Sequence, residues 1–206
     1  AVTRRPELFE PFKDQLSLFV QLTHGADIGA YERDIDHRVV YKESQLRRII
    51  DQIIADPTRW FIAGDGEWHG DHPSEPGSYL RSVQFSSKHG EGITVVLRHQ
   101  GGSPAFKPSI AHGVAQLKRL FTPTENYQPR LGGWFFRADM PWLLHEGIDV
   151  RPFYRAAPTP ELSRTEGGWE GSLMYHATNE AASFKLEDVA SRLTTVPRYD
   201  KRLAKW

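Results

Sequence analysis

Apolar positions change period along residues 37–206, and this change predicts strands alternating with helices. Apolar residues recur at helical spacing over residues 46–54, 110–121 and 138–146. Short apolar runs at 39–41, 60–63 and 131–135 predict strands. Segments 79–86 and 93–98, which flank a glycine-bearing turn, predict a hairpin. With two further helices at 173–179 and 185–193, the order is β-α-β-β-β-α-β-α-α-α. We therefore predict an α/β fold, a mixed sheet with helices packed on it.

Local signals set the boundaries of these elements. Ser44 is predicted as the N-cap of the first helix, which Asp56-Pro57 ends, and Gly147 ends the helix over 138–146. Residues 1–36 carry no clear period and are predicted as an N-terminal arm or linker with one short helix over 12–22. Residues 155–168 are predicted as a loop. Residues 37–206 are thus expected to form the main domain.

Composition narrows the classes of protein and site. The chain has 206 residues, 26 basic against 26 acidic side chains, 39% hydrophobic residues and no Cys. The absence of Cys excludes a disulfide framework, a thiolate metal site and a Cys nucleophile, so any metal must be bound by carboxylates or imidazoles. No apolar run approaches the roughly 18 residues of a membrane span, and no signal peptide opens the chain. We expect no membrane contact and a soluble protein in the cytoplasm of a cell or of a phage-infected host.

The segment WFIAGDGEWHG carries the strongest chemical signal. Asp65 and Glu67 follow a buried apolar run, and alternation along a strand would place both carboxylates on one face. Such a pair suits Mg²⁺ or Mn²⁺, which prefer oxygen ligands. The alternative is that Asp65-Gly66 is an ordinary turn at the end of a strand. A second alternative, a metallophosphoesterase cluster that includes His69 and His72, lacks the spacing of that signature.

Further motifs follow in order along the chain. The hairpin segment SYLRSVQFSSKHGEGITVVLRHQGG carries Gln84 and Ser86, LGGWFFRADMPWLLHEGIDV carries Asp139, and GGWEGSLMYHATNEAASFKLEDVASRLTTVPRYDKRLAKW follows. Together with Asp65-x-Glu67, this series resembles the 3′–5′ exonuclease domain of family A DNA polymerases, with the best match to phage-type members. The resemblance covers roughly residues 37–206. It implies a ribonuclease-H-like exonuclease fold and a proofreading activity.

The resemblance also implies a site and partners. Asp65, Glu67 and Asp139 would be catalytic residues and ligands of two Mg²⁺ or Mn²⁺ ions, which in two-metal sites lie about 3.5–4 Å apart. The substrate would be the 3′ end of single-stranded DNA, and the remainder of the polymerase chain would be a partner. The predicted DNA-binding residues are Trp68, Gln84, Phe136 and Arg137. Aromatic side chains stack on bases, although core packing is the alternative role, particularly for Phe85 and Trp134.

Two positions depart from the family pattern. The segment that carries Asp139 resembles the second motif of the family, and Phe135 stands where that motif has Asn, four residues before its Asp. The third motif, Tyr-x-x-x-Asp, is absent, because Tyr199-Asp200 has the wrong spacing. The resemblance therefore implies a chain truncated before that motif, whose Tyr and Asp would follow Trp206. The alternative function is a catalytically inactive exonuclease-like module that braces the polymerase or binds single-stranded DNA.

Overall fold

A computed structural model describes residues 36–59, 61–151, 169–172, 175 and 185–193. The chain divides into two compact units, one of Asp36–Ala177 and the other of Ala1–Ile35 with Thr178–Trp206. The division into an N-terminal arm over 1–36 and one domain over 37–206 stays a prediction. The predicted helix over 12–22 and loop over 155–168 lie outside the described residues, as does most of the predicted helix over 173–179.

The elements follow the predicted order, with shifted ends. The strands are β1 (Asp36–Val40), β2 (Phe61–His69), β3 (Tyr79–Ser86), β4 (Glu91–Val96), β5 (Arg130–Gly133) and β6 (Trp169–Glu170). The helices are α1 (Glu43–Ala55), α2 (Ile110–Leu120), α3 (Met140–His145) and, in the other unit, α4 (Leu186–Leu193). A 3₁₀ turn at Phe136–Ala138 precedes α3. The two-residue strand β6 was not predicted, because a strand this short has no periodicity.

Within the described residues the strands form one mixed sheet in the order β1-β4-β3-β2-β5-β6. Strand β3 is antiparallel to both β2 and β4. The β1–β4, β2–β5 and β5–β6 pairs are parallel. This arrangement confirms the predicted mixed central sheet with helices packed on it. It also places β2, which carries Asp65 and Glu67, between β3 and β5.

The core lies on one face of the sheet. Inward positions of the central strands, including Ile62, Val83 and Val95, are at most 1% exposed. They belong to the same hydrophobic cluster as the apolar stripes of α1 and α2, of which Ile50 and Leu117 are fully buried members. Burial of each such aliphatic side chain stabilises the fold by about 1.5–3 kcal/mol. None of the helices in the described part of the chain is long and apolar enough to cross a bilayer.

Helix α1 starts differently from the prediction. Its N-cap is Lys42, not Ser44, and no side chain caps it. The reason is that the backbone N–H of Glu43 donates to the carbonyl of Lys107 at 2.9 Å, so a neighbouring segment satisfies a free donor of the first turn. The predicted ends are confirmed: Asp56 is the C-cap of α1. Gly147, just beyond α3, has φ +80°.

Candidate active site

Strand β2 runs through both carboxylates rather than ending before them. It extends from Phe61 to His69, so the interpretation of Asp65-Gly66 as a turn is wrong. Along it, Asp65 and Glu67 are exposed, while Gly64 and Gly66 are buried on the other face. Pairing with β3 keeps this stretch extended, because every residue from 63 to 67 has a partner there. The predicted sharing of one strand face by the two carboxylates is confirmed.

The neighbouring strands continue this polar face. Gln84 on β3 lies directly opposite Asp65, and Thr94 on β4 lies opposite Gln84. The Nε2 of Gln84 donates to Ser82 Oγ at 3.0 Å. Its Oε1 is buried and meets no hydrogen-bond donor among the described residues. A shallow groove of about 350 Å³ borders Glu67, Gln84 and Thr94.

Asp139 approaches β2 from beyond the end of β5. The β2–β5 pairing covers only residues 61–63 of β2, which leaves the edge of β2 free of β5 from Gly64 onward. At this free edge the backbone N–H of Gly66 donates to Asp139 Oδ1 at 2.8 Å. The Asp139 side chain is only 4% exposed. The 3₁₀ turn and α3 thus bring the carboxylate of the second motif to the backbone between the carboxylates of the first.

Glycine is required at this contact. A Cβ atom on Gly66 would lie 2.9 Å from Asp139 Oδ1, and one on Gly64 would lie 3.1 Å from Phe136 Cε2. The Gly-x-Gly alternation therefore leaves one face of β2 free of side chains, where the turn carrying Asp139 packs. The sequence shows the two glycines, but it does not reveal that the turn carrying Asp139 packs against them.

The three carboxyl groups interact electrostatically. Burial, and to a smaller extent the charge of Asp65, raises the pKa of Asp139 to about 7. The hydrogen bond from the Gly66 N–H acts in the opposite direction and lowers this pKa. Partial desolvation by the surrounding protein, and then the charge of Asp65, also raises the pKa of the exposed Glu67 carboxyl group, and the charge of Arg81 partly offsets this shift. Partial burial raises the pKa of Asp65 itself. Crowded carboxylates favour protonation or a neutralising cation.

The cluster fits a divalent metal by chemistry and charge. Its donors are all carboxylate oxygens, which Mg²⁺ and Mn²⁺ prefer, and a cation would offset the repulsion that raises their pKa values. Within the described part of the chain, however, no three His, Asp or Glu side chains are gathered tightly enough to enclose a metal ion. The carboxyl groups are thus close enough to interact without forming a closed cage.

The structure separates the predicted DNA-binding residues. Arg137 is exposed, whereas Phe136 is 1% exposed and packs beneath Gly64. The prediction that Phe136 stacks on bases is therefore wrong, because its ring is part of the core. Trp68 is half-buried and stacks on Trp142, with ring centroids 5.3 Å apart. Gln84 lies beside Asp65 as described above.

The two other aromatic candidates have packing roles. Phe85 is 3% exposed and belongs to the core. Trp134 is half-buried, with its ring 6.3 Å from that of Tyr175. The histidines of the second alternative are also engaged: His69 stacks on Tyr79, and His72 Nδ1 accepts a hydrogen bond from the backbone of Ser74. A metallophosphoesterase cluster is therefore not assembled among the described residues.

Phe135 comes directly before the 3₁₀ turn that leads to Asp139, and the sequence did not identify it as a candidate DNA-binding residue. It is 49% exposed and adopts φ +58°, in the left-handed region. The guanidinium of Arg137 lies 4.7 Å from the centroid of its ring. The doublet Phe135-Phe136 does not by itself reveal which ring is buried. The packing of the Phe136 ring against Gly64 distinguishes the two rings in the structure.

The sequence matches no protein-family model, and no curated protein is significantly similar to it. Three solved structures share part of its backbone arrangement. The EXO domain of Nibbler from Aedes aegypti is 11% identical, with a TM-score of 0.47 over 73% of this chain and 58% of its own. NrnC from Brucella melitensis, bound to pGG, is 15% identical, with a TM-score of 0.44 over 79% and 62%. RNase D from Escherichia coli, an exoribonuclease involved in structured RNA processing, is 14% identical, with a TM-score of 0.41 over 80% and 38%. The chain spans less than two thirds of each of them.

Proposed function

We propose that this chain is a metal-dependent 3′–5′ exonuclease domain that hydrolyses the terminal phosphodiester of single-stranded DNA and proofreads for a DNA polymerase. One observation carries the proposal: Asp139 Oδ1 accepts a hydrogen bond from the backbone of Gly66, between Asp65 and Glu67. This bond to the backbone between Asp65 and Glu67 holds the carboxyl group of a distant segment within electrostatic range of theirs. The motif resemblance supplies the polymerase context and the DNA substrate.

Asp65, Glu67 and Asp139 would hold Mg²⁺ or Mn²⁺, as a pair of ions in the two-metal form. When bound, such ions make a water nucleophilic at neutral pH and stabilise charge on the leaving 3′ oxygen. Asp65 would be one of the ligands, since its charge acts on both other carboxyl groups. Asp139 is held in place by burial and by the Gly66 N–H. Glu67, which like Asp65 is exposed on the strand, would help to orient the attacking water.

A non-catalytic module is the second candidate function. It is favoured by Phe135, which replaces the expected Asn with a side chain that cannot hydrogen-bond, and by the open arrangement of the three carboxyl groups. Such a module would bind single-stranded DNA or brace a polymerase without hydrolysis. The two functions differ in one measurable property, the metal-dependent shortening of a strand.

The test uses a 5′-labelled single-stranded DNA with Mg²⁺ or Mn²⁺. We expect a ladder of products shortened from the 3′ end, which Asp65→Asn and Glu67→Gln reduce by orders of magnitude because they remove metal ligands. Asp71→Asn, a charge-matched change at an exposed position, should leave the ladder unchanged. Absence of shortening by the wild type with either metal would favour the non-catalytic module.

A matched RNA strand tests the substrate class. Shortening of RNA but not of DNA would contradict a proofreading role while keeping the exonuclease activity. Within a full polymerase chain, Asp65→Ala with Glu67→Ala should remove 3′–5′ shortening and leave polymerisation intact.

A further inference from the structure

We propose that the ring of Phe135 and the guanidinium of Arg137 form a stacking platform for an unpaired base of the substrate strand. This inference rests on the proposed function and names the surface that would receive the strand beside the carboxyl cluster. We call this pair of side chains the platform. It replaces Phe136, whose ring lies in the core.

The backbone at Phe135 points to a role other than folding. A side chain with a Cβ is disfavoured at φ +58°, and Gly or Asn would adopt this conformation at lower cost. The strain is not offset by burial, since the residue is 49% exposed, in contrast to the fully packed ring of Phe136. A strained, exposed aromatic residue next to a candidate active site is a feature that suggests ligand contact.

Arg137 gives the platform charge as well as a second flat surface. Its guanidinium lies 4.7 Å from the centroid of the Phe135 ring, within cation–π range. Aromatic rings and guanidinium planes both stack on unpaired bases, without strong sequence preference. A positive group is also needed here for a polyanionic strand, because the adjacent carboxyl cluster is negative. The platform therefore favours a single-stranded nucleic acid over a neutral or cationic ligand.

The platform is anchored close to the carboxyl groups. The N–H of Ala138 donates to the carbonyl of Phe135 at 2.9 Å, and that of Asp139 donates to the carbonyl of Phe136 at 3.0 Å. This tight turn keeps the platform within one helical turn of Asp139. Phe136 fixes the same turn against Gly64, the residue before Asp65. A base on the platform would thus belong to a nucleotide at or next to the reacting phosphodiester.

The experiment removes the ring and the base separately. In the full chain carrying Asp65→Asn, which prevents hydrolysis, the affinity for a fluorescent single-stranded oligonucleotide is measured with and without Phe135→Asn. We expect Asn, which tolerates the left-handed backbone, to weaken binding between about fivefold and a hundredfold, the range for loss of one stacked base. A second set of oligonucleotides carries a single abasic site, placed in turn at each of the 3′-terminal nucleotides. With the protein that retains Phe135, we expect one of these positions to weaken binding by the same factor as Phe135→Asn does. With Phe135→Asn, the abasic site at that position should weaken binding hardly at all.

Three controls make the result specific. Phe135→Trp should retain binding, Arg137→Gln should weaken it, and Leu144→Ala, which trims an exposed apolar residue of α3, should not change it. Thermal melting should show that Phe135→Asn is folded, with equal or higher stability. Equal affinity of the proteins with and without Phe135→Asn would overturn the platform. So would a result in which, at every abasic position, the loss caused by the abasic site adds to the loss caused by Phe135→Asn.

Hydrolysis of bis(p-nitrophenyl) phosphate with Mn²⁺, a substrate without a base, separates the two proposals. Failure of the wild type to hydrolyse both this substrate and DNA would contradict the exonuclease proposal. The abasic comparison would still decide whether the platform binds bases.

Discussion

The Gly66 N–H and the Asp139 carboxylate form a 2.8 Å hydrogen bond that joins the backbone of the central strand to the turn before α3. Gly66 supplies both the donor and the space, because a Cβ at this position would lie 2.9 Å from the same oxygen. The contact connects the first and second motifs. Disturbing it should therefore affect both the fold and the proposed metal site.

Gly66→Ala should displace Asp139 and destabilise the protein by about 1–3 kcal/mol, the usual cost of overpacking. Urea unfolding measures this loss, and the stabilisation by Mn²⁺ predicted below should shrink with it. Gly92→Ala in β4 is the matched control, since its Cβ would meet only the ring edge of His37 at 3.3 Å. Equal stabilities of the two variants would contradict the close approach at Gly66.

Divalent metal should raise the melting temperature, because a ligand that binds only the folded state stabilises it increasingly as its concentration exceeds the Kd. Millimolar Mn²⁺ or Mg²⁺ should produce the shift in the wild type, and Asp65→Asn should abolish it. Asp71→Asn serves as the control for loss of one negative charge. Trp68 follows Glu67 directly and gives a second readout, since metal should change its fluorescence. A wild type that shows neither change would have no functional metal site.

The metal-free protein should lose stability as the pH rises. The pKa of Asp139, raised to about 7 from 3.8, means that the folded state keeps a proton that the unfolded chain has already released. The resulting stabilisation is complete below about pH 4 and is lost as the pH passes about 7, with an upper bound of about 4 kcal/mol. The raised pKa values of Asp65 and Glu67 act in the same direction.

Urea unfolding at several pH values, in the presence of a chelator, tests this dependence. Asp139→Asn should flatten the decline and exceed the wild type in stability at about pH 8, because the amide cannot ionise. Added Mn²⁺ should restore the wild type at that pH. Parallel pH profiles for the two proteins would show that Asp139 does not carry the effect.

Neighbouring phenylalanines should respond in opposite ways. Phe136→Ala should cost about 3–5 kcal/mol, as for other buried aromatic residues, because it leaves a cavity beneath Gly64. Phe135→Asn should change stability by less than about 1 kcal/mol, or increase it, since it relieves a strained backbone. Denaturant unfolding of both variants decides the matter. A reversed order of the two losses would contradict the burial found here.

Periodic patterns made most of the sheet and its helices predictable. The apolar stripes of α1 and α2 and the β3–β4 hairpin lie close to their predicted positions, because burial on one face imposes a regular spacing. Strand β2 was underestimated at its C-terminal end, since glycine and acidic residues usually mark turns. Here pairing with β3 overrides that local tendency from Gly64 to His69.

The candidate site was only partly predictable for a different reason. Asp65 and Glu67 are two residues apart, and strand geometry alone places them on one face. The position of Asp139 depends on where β5 ends and on the free edge that this leaves on β2, which are tertiary properties. The burial of Phe136 and the exposure of Phe135 were unpredictable for the same reason, because only packing against Gly64 distinguishes the two rings.

The short pairing between β2 and β5 has a consequence for the order of folding. The Gly66–Asp139 contact joins residues 73 positions apart, whereas β2, β3 and β4 pair with near neighbours in sequence. Distant contacts form after local ones, because closing a long loop costs entropy before the contacts it permits can form. Repulsion between Asp139 and the two carboxyl groups of β2 should therefore arise only after the transition state. Asp139→Asn should then slow unfolding at neutral pH and leave the folding rate unchanged, which the two limbs of a chevron plot report separately.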